Sequence, residues 1–392
     1  MVGTDDLRRL LSATTNARVK TVLVGDACQL APVKARGGMF EQLCSDLPWA
    51  QHLSEVWRMH DPGERAASLA LRDGDTAALR RAVRFYQRQD RLRCGDQISM
   101  ATDALAAYRT DIAAGKDALL VCDTNEMADA LNQRLHHDAI RADADTVAVS
   151  RGQRVAVGDL ILTRRNDPTI PMRNVENPTV EPTMVRNGNR WRVAVINPAN
   201  GRIGAQRLDD DTAAVFPADY VREHVTLGYA STVHSKQGVT ADRSHAILGE
   251  GATRSMAYVA MTRGRESNDT YIYQRLTGES DHEHSRPITA PEIHQLRRGN
   301  KYSAAHYFRM ILVNDDRPRT THDQAERAAR HLLPDKVAEL LDQNDARRTA
   351  RRAVWREHTA AARARQAAYE RMAQAASACA ERGIDRDAGL EL

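Results

Sequence analysis

Short apolar runs closed by turn residues alternate along this chain with stretches whose apolar positions recur every three or four residues. "VLV" at Val22–Val24 is too short for a helix and stops at Gly25-Asp26, so it predicts a buried parallel strand. "DALLVCDTNEMADALNQRLHH" repeats the theme. It predicts a strand over Ala118–Cys122, an N-cap at Asp123 or Thr124, and a helix with Met127, Leu131 and Leu135 on one face. "HVTLGYA" predicts a third strand that leads into "STVHSKQG" at the start of a short helix. "SHAIL" predicts a fourth, before a helix from about Ser255 and a last strand "TYIY". Strands alternating with helices imply a parallel sheet covered on both faces.

Between Ser150 and His224 the pattern changes. "RGQRVAVGDLILTRRND", "VRNGNRWRVAVINPANGRIGAQRL" and "TAAVFPADY" read as short alternating strands joined by Asn-Gly and Gly-Arg turns, which predicts a small antiparallel barrel or hairpin set. The proline-rich "NDPTIPMRNVENPTVEPT" reads as a loop. With α/β units on both sides, this region reads as an insertion into an α/β domain. After about Gln274, "RLTGESDHEHSRPITAPE" reads as a polar linker, in which His282 and His284 belong to a solvated loop and not to a metal pair. The remainder, notably "ARRTARRAVWREHTAAARARQAAYERMAQAA", has few apolar anchors and predicts a long helix with little core of its own. It is either solvated throughout or presents arginines to phosphates.

At 392 residues the chain is long enough for two or three domains. The five cysteines (Cys28, Cys44, Cys94, Cys122, Cys379) lack zinc or C-x-x-C spacing and read as reduced thiols, with Cys122 in the core. No apolar run reaches the length of a membrane span and no signal peptide opens the chain, so the expected location is cytoplasmic. Net charge is only +4, so nucleic-acid binding must be argued from local clusters.

Four stretches carry candidate chemistry. In "GDACQL", Asp26 and Gln29 put a carboxylate and an amide at a strand terminus, able to hold a water or metal shell and touch a terminal phosphate, although Gly-Asp is also an ordinary turn. "HLSEVWRM" sets Arg58 just after Leu53, Val56 and Trp57, as an arginine leaving a strand; it is a surface charge or a phosphate contact. "STVHSKQG" packs Thr232, His234, Ser235, Lys236 and Gln237 before Gly238, donors that suit phosphate oxygens if they are more than a polar helix cap. "YVAMTRGRE" puts Arg263 and Arg265 at the end of an amphipathic helix, where the dipole favours cations; that explains Arg265 better than Arg263.

"VLVGDACQL", "LSEVWR", "STVHSKQG" and "YVAMTRGR", in this order and with a barrel-like insertion before the third, resemble motifs III to VI of RecD-like superfamily-one DNA helicases. The likeness extends from Met1 to about Arg275 and is nearest to the helicase half of TraA/TraI-type (MobF) conjugative relaxases. It implies a RecA-like P-loop NTPase fold: part of a first lobe over 1–50, a complete second lobe over 51–149 and 225–275, an SH3-like insert over 150–224, and a linker with a helical carboxy-terminal extension over 276–392. It implies ATP and Mg2+ as cofactors and single-stranded DNA as partner. Gln29 would sense the γ-phosphate with Asp26 in support, Arg58 and Arg263 would be arginine fingers, and Gly238 would lie near the nucleotide. Thr232, His234, Ser235 and Lys236 would face the strand.

These 392 residues contain no G-x-x-x-x-G-K-[ST]: the single Gly-Lys pair, Gly115-Lys116, is followed by Asp117, and Thr110 stands where the first glycine belongs. Asp-Glu, with which Walker B commonly starts in such helicases, occurs nowhere. Met1 resembles the methionine that ends that motif. The expectation is an amino-terminally truncated helicase of a conjugative relaxase that binds single-stranded DNA and does not hydrolyse ATP alone. The alternatives are a non-catalytic nucleic-acid-binding module and a partner that completes a separately encoded, Walker-containing half.

Overall fold

The computed structural model describes residues 2–33, 35–177, 179, 181–210, 212–274 and 297–387, with side chains described to 372. The expected linker, with His282 and His284, lies outside the described residues. Two compact units are formed: one from the first 27 residues, Ala31–Leu53 and the chain from Arg317 onward, the other from Cys28–Leu30 and Ser54–Asp316.

The first unit begins with α1 (Thr4–Asn16) and α2 (Met39–Asp46). The strand expected over Val22–Val24 does not form: Val22 and Val24 are 70% and 88% exposed, and the backbone there is irregular. A strand exists only by pairing, and no described strand lies against this stretch to accept its N–H and C=O groups. The segment carrying Leu53, Val56 and Trp57 is likewise not a strand. Leu53 and Trp57 are exposed, so Arg58 leaves a loop.

The second unit holds the parallel sheet. Asp61 and Asp75 cap α3 (Pro62–Asp73) and α4 (Thr76–Arg88), accepting from the N–H of Gly63 and Ala78. Next come β1 (Leu92–Asp96), α5 (Gln97–Ala113), β2 (Ala118–Cys122) and α6 (Asn125–Ala139). Thr124 is the N-cap of α6, and Met127, Leu131 and Leu135 are buried on one face, as the pattern predicts.

From β3 (Val147–Ala148) and β4 (Arg154–Val155) the chain enters the antiparallel region, which holds β5 (Leu160–Thr163), β6 (Asp167–Asn174), β7 (Thr183–Val185), β8 (Arg190–Asn197), β9 (Arg202–Arg207), β10 (Thr212–Phe216), α7 (Ala218–His224) and β11 (Val225–Leu227). Its seven-stranded sheet runs β11-β5-β8-β9-β10-β6-β7. Inward residues converge on fully buried Trp191, which meets the Phe216 ring edge-on at 5.1 Å. The proline-rich stretch is not all loop. Asp167–Asn174 is a strand although it holds Pro168 and Pro171, and its register with β7 breaks between Asp167 and Pro171, where a missing N–H costs little.

"HVTLGYA" is two strands, not one. β11 pairs with β5 in the barrel, and after Gly228 and Tyr229 β12 (Ala230–Thr232) pairs with β2 in the parallel sheet. β13 (Ala241–Gly249), α8 (Arg254–Ala260) and β14 (Gly264–Gln274) complete that sheet in the order β1-β14-β13-β2-β12, every pair parallel. Its two faces feed separate cores. Leu119 and Val121 join one cluster with Leu71, Tyr86 and Val259, whereas Leu120 and Cys122 join another with Met100, Leu105 and Leu131. Side chains that alternate across a strand and are apolar on both sides require helices on both sides. α9 (Lys301–Val313), placed by the sequence in a poorly anchored extension, buries Ala304, Phe308 and Ile311 in the first of these clusters.

α10 (Thr321–Arg327) and the 53-residue α11 (Asp335–Asp387) return to the first unit. Beyond buried Leu341, the described part of α11 is mostly exposed, as expected for a helix with little core. No described helix is long and apolar enough to cross a membrane.

Candidate nucleotide and single-strand site

The predicted helix at "STVHSKQG" is one 3-10 turn, His234–Lys236, after β12. Gly238 follows at φ 89°, a left-handed conformation that a β-carbon disfavours, and so redirects the chain toward β13. Thr232 Oγ1 and Ser235 Oγ are hydrogen-bonded at 3.0 Å, and Arg164 Nη1, from the barrel, donates to Ser235 Oγ at 3.0 Å. Burial pushes the His234 imidazole below its ordinary pKa and Arg164 below its own. Lys236 is buried, with no hydrogen-bond partner for Nζ; burial, then the charge of Arg190, pulls its pKa down to about 7.

Gln237 turns the other way. Its Nε2 donates to Gln29 Oε1 at 2.9 Å, joining two amides 208 positions apart. Two residues on, the Val239 carbonyl accepts from Arg263 Nη1 at 3.3 Å. Arg263 lies beyond the end of α8 and is buried; its Nε donates to the Val259 carbonyl at 2.7 Å and its Nη2 to Thr262 Oγ1 at 2.9 Å. Arg58 Nη1 donates to the Thr262 carbonyl, and burial lowers its pKa. Gln29 thus meets Gln237, and Arg58 and Arg263 meet at Thr262; Gly238 and the arginine-bound Val239 separate the two pairs along the chain. Asp26 sits half-buried beside the Ala27–Gln29 turn. Arg265 is not at a helix end. It lies in β14 and pairs with Asp242 at 3.0 Å.

Sequence reasoning missed the support beneath "TRGR". Asn268 Oδ1 accepts from the N–H of Arg263 and of Gly264, and its Nδ2 donates to Glu64 Oε1 at 2.8 Å. Glu64 is fully buried and paired with Arg91; burial raises its pKa from the ordinary glutamate value against that pairing. The signal available was an Asn in a strand, where Asn is depleted. A β-carbon on Gly264 would stand 2.1 Å from the Ser267 carbonyl. Gly264→Ala is therefore expected to lower the urea midpoint by the equivalent of about 3 kcal/mol or more, through displaced backbone; a midpoint like the parent's would remove this account of the turn.

The donors brought together are amides, hydroxyls and cations, which suit phosphate oxygens. Among the described residues no group of three or more His, Cys, Asp and Glu could hold a metal ion.

Known proteins resemble parts of this chain. An AAA domain model matches residues 1–97, and a model of the Rv2311 SH3-like barrel domain matches residues 147–226. The uncharacterized protein Rv2311 of Mycobacterium tuberculosis is 53% identical over 95 residues, 24% of this chain and 55% of that protein. The probable conjugal transfer protein TraA of Sinorhizobium fredii is 26% identical over 287 residues, 71% of this chain and 24% of TraA. Over most of its length, then, the chain is similar to a conjugal transfer protein. It spans about a quarter of TraA and about half of Rv2311. Its mixed α/β fold combines a five-stranded parallel sheet, an antiparallel region matched by the SH3-like barrel model and a helical carboxy-terminal region. A solved Pif1 helicase from Bacteroides, in complex with ADP-AlF3 and ssDNA, is 15% identical, covering 64% of this chain and 61% of its own, with a TM-score of 0.37, too low to bear on the site.

Proposed function

We propose that this chain binds single-stranded DNA through the loop from Thr232 to Gly238 and forms part of an ATP-driven DNA translocase acting in conjugal transfer. Catalysis would require a segment that supplies Walker A and Walker B, because these 392 residues contain neither. One observation carries the reading: Gln29 meets Gln237 across 208 positions of sequence, and Arg58 meets Thr262, which also holds Arg263, across 204. A phosphate sensor and cationic groups must converge in this way to act on one terminal phosphate. Gly238 follows Gln237 directly, and Asp26, three residues before Gln29, is the carboxylate of the same motif. Thr232, His234 and Ser235 form the strand-facing side, where hydroxyls and Arg164 offer donors to a backbone, whereas Lys236, expected to join them, has its Nζ buried. ATP with Mg2+ is the cofactor of this reading, held in part by the supplied segment, and the working place is the cytoplasm.

A second reading is favoured by Arg263, whose donors are engaged by protein oxygens. A non-catalytic nucleic-acid-binding module would use Arg263 only to hold the loop. Two measurements separate the readings. Fluorescence anisotropy with an oligothymidylate at two salt concentrations is expected to give binding that weakens as salt rises, because phosphate contacts release counterions. Binding indifferent to salt, or none at low salt, would count against both readings. Steady-state ATPase of the chain alone is expected at buffer level, and DNA-stimulated turnover only after fusion to a Walker-containing segment. A correctly folded fusion without turnover leaves the binding module as the better account.

A further inference from the structure

α11 carries seven arginines against one glutamate between Arg347 and Arg365. A helix stabilised only by solvation normally interleaves opposite charges at i,i+4, and this one does not. Arg348 and Arg352 are engaged in the first unit: Arg348 pairs with Asp46 and Glu326, and Arg352 donates to the Ser45 carbonyl. Arg347, Arg351 and Arg365 are exposed and have no carboxylate partner among the described residues. Spaced by four, four, three and seven residues, Arg347, Arg351, Trp355, His358 and Arg365 fall on one stripe at 3.6 residues per turn.

Aromatic faces interrupt the charge. Trp49, in the loop after α2, meets the Trp355 ring edge-on at 5.7 Å, and His358 stacks on Trp355 with 11° between planes. With Ala350, Arg351 and Val354 these rings line an apolar cleft of about 390 Å³. We propose that this cleft and the arginine stripe are a binding site for single-stranded nucleic acid, one base entering beside Trp355 and the flanking phosphates meeting Arg347 and Arg351. Aromatic platforms inside a cationic track are what unpaired strands require, since every base has a π-face and every linkage a charge. A second copy of the helix would set arginine against arginine. A duplex would present no free base to the cleft. The site is separate from the Thr232–Gly238 loop and does not depend on that reading.

The test uses the full chain, an oligothymidylate, an abasic oligomer of equal length and vesicles of anionic lipid. Arg347→Ala/Arg351→Ala is expected to weaken oligothymidylate binding about tenfold at low salt and to reduce the salt slope by one to two. Trp355→Ala is expected to weaken oligothymidylate but not abasic binding and to abolish the tryptophan quenching that the oligomer causes, with Trp355→Phe restoring most of the affinity. Circular dichroism checks that α11 persists, which the two exposed arginines do not govern. Binding that survives the double arginine variant but falls in Arg164→Ala overturns this site and leaves the loop reading standing; the reverse pattern does the opposite. Equal loss on thymidylate and abasic oligomers in Trp355→Ala, or arginine-dependent capture of vesicles without oligomer binding, also overturns it.

Discussion

Arg263→Ala is expected to lower folding stability by about 3 kcal/mol or more, and Arg265→Ala, two residues away, by less than about 1 kcal/mol. The Arg263 guanidinium is buried and gives its N–H groups to the Val259 and Val239 carbonyls and to Thr262 Oγ1. Truncation withdraws a charged donor from each of those oxygens, of which Val259 keeps only Thr262, in a site closed to water, and opens a cavity. Arg263→Lys should recover only part of the loss, because one ammonium cannot serve acceptors spread around a planar fork. Arg265, 43% exposed in its side chain, makes a surface ion pair with Asp242, so its removal is cheap. Urea unfolding of the three variants decides the matter. Similar midpoints for Arg263→Ala and Arg265→Ala would mean that Arg263 is not holding the loop. In a turnover assay the same variant confounds a lost fold with a lost phosphate contact. Half-buried Arg58, with a bond to the Thr262 carbonyl and an expected cost of about 1 kcal/mol, is the cleaner probe of catalysis.

Lys236→Met is expected to stabilise the protein at pH 7 and below, and to do so less and less as the pH climbs. The side chain is buried without a partner for Nζ; burial and then Arg190 depress its pKa to about 7, with Arg164 acting the same way and Asp209 and Asp117 opposing. Below about pH 7 the lysine is charged in folded and unfolded chains alike, and the full penalty of a buried cation stands. Between about 7 and the ordinary lysine value of 10.5 the unfolded chain holds a proton that the folded chain does not, so stability rises with pH across that window. Methionine removes the penalty at similar volume. The expected gain at pH 6 is on the order of a few kcal/mol, shrinking toward zero near pH 10. Chemical denaturation across that range is the measurement; a difference between variant and parent that does not change with pH would show that Lys236 is not the titrating group.

Much of the parallel sheet was legible because alternating burial leaves a mark in sequence: "ALLVC" and "SHAIL" are apolar on both faces, and Thr124 announces α6. Val22–Val24 carried the same mark and misled, since a local pattern records the tendency to pair but not whether a neighbour exists. "HVTLGYA" misled differently. Nothing in its composition tells that Val225–Leu227 and Ala230–Thr232 serve different sheets. α9 was missed because its apolar residues follow a polar stretch that suggested the compact part had ended. At the site, the four motifs marked where candidate groups lie, yet the contacts that join them, Gln237 to Gln29 and Arg58 to Thr262, depend on the folded path and have no local signature. Asn268 and Glu64, which fix the "TRGR" turn, are in the same position.

The two-residue passage at Gly228 and Tyr229 has a mechanical implication. Barrel and parallel sheet share one nearly continuous segment, so a rotation of the barrel must be taken up by the dihedrals of those two residues or passed to β12. That strand is a three-residue edge, held by β2 alone on one side. Tyr229 is itself anchored, its hydroxyl donating to buried Asp159, which also meets His136 of α6 at 2.8 Å. Gly228 is held as well, its N–H donating to the Leu160 carbonyl at 2.8 Å, so the first thing to move is the strand that ends at Thr232. A load on the barrel would therefore be felt at the Thr232–Gly238 loop before it reached the rest of the sheet, as a crank transmits torque to the nearest joint.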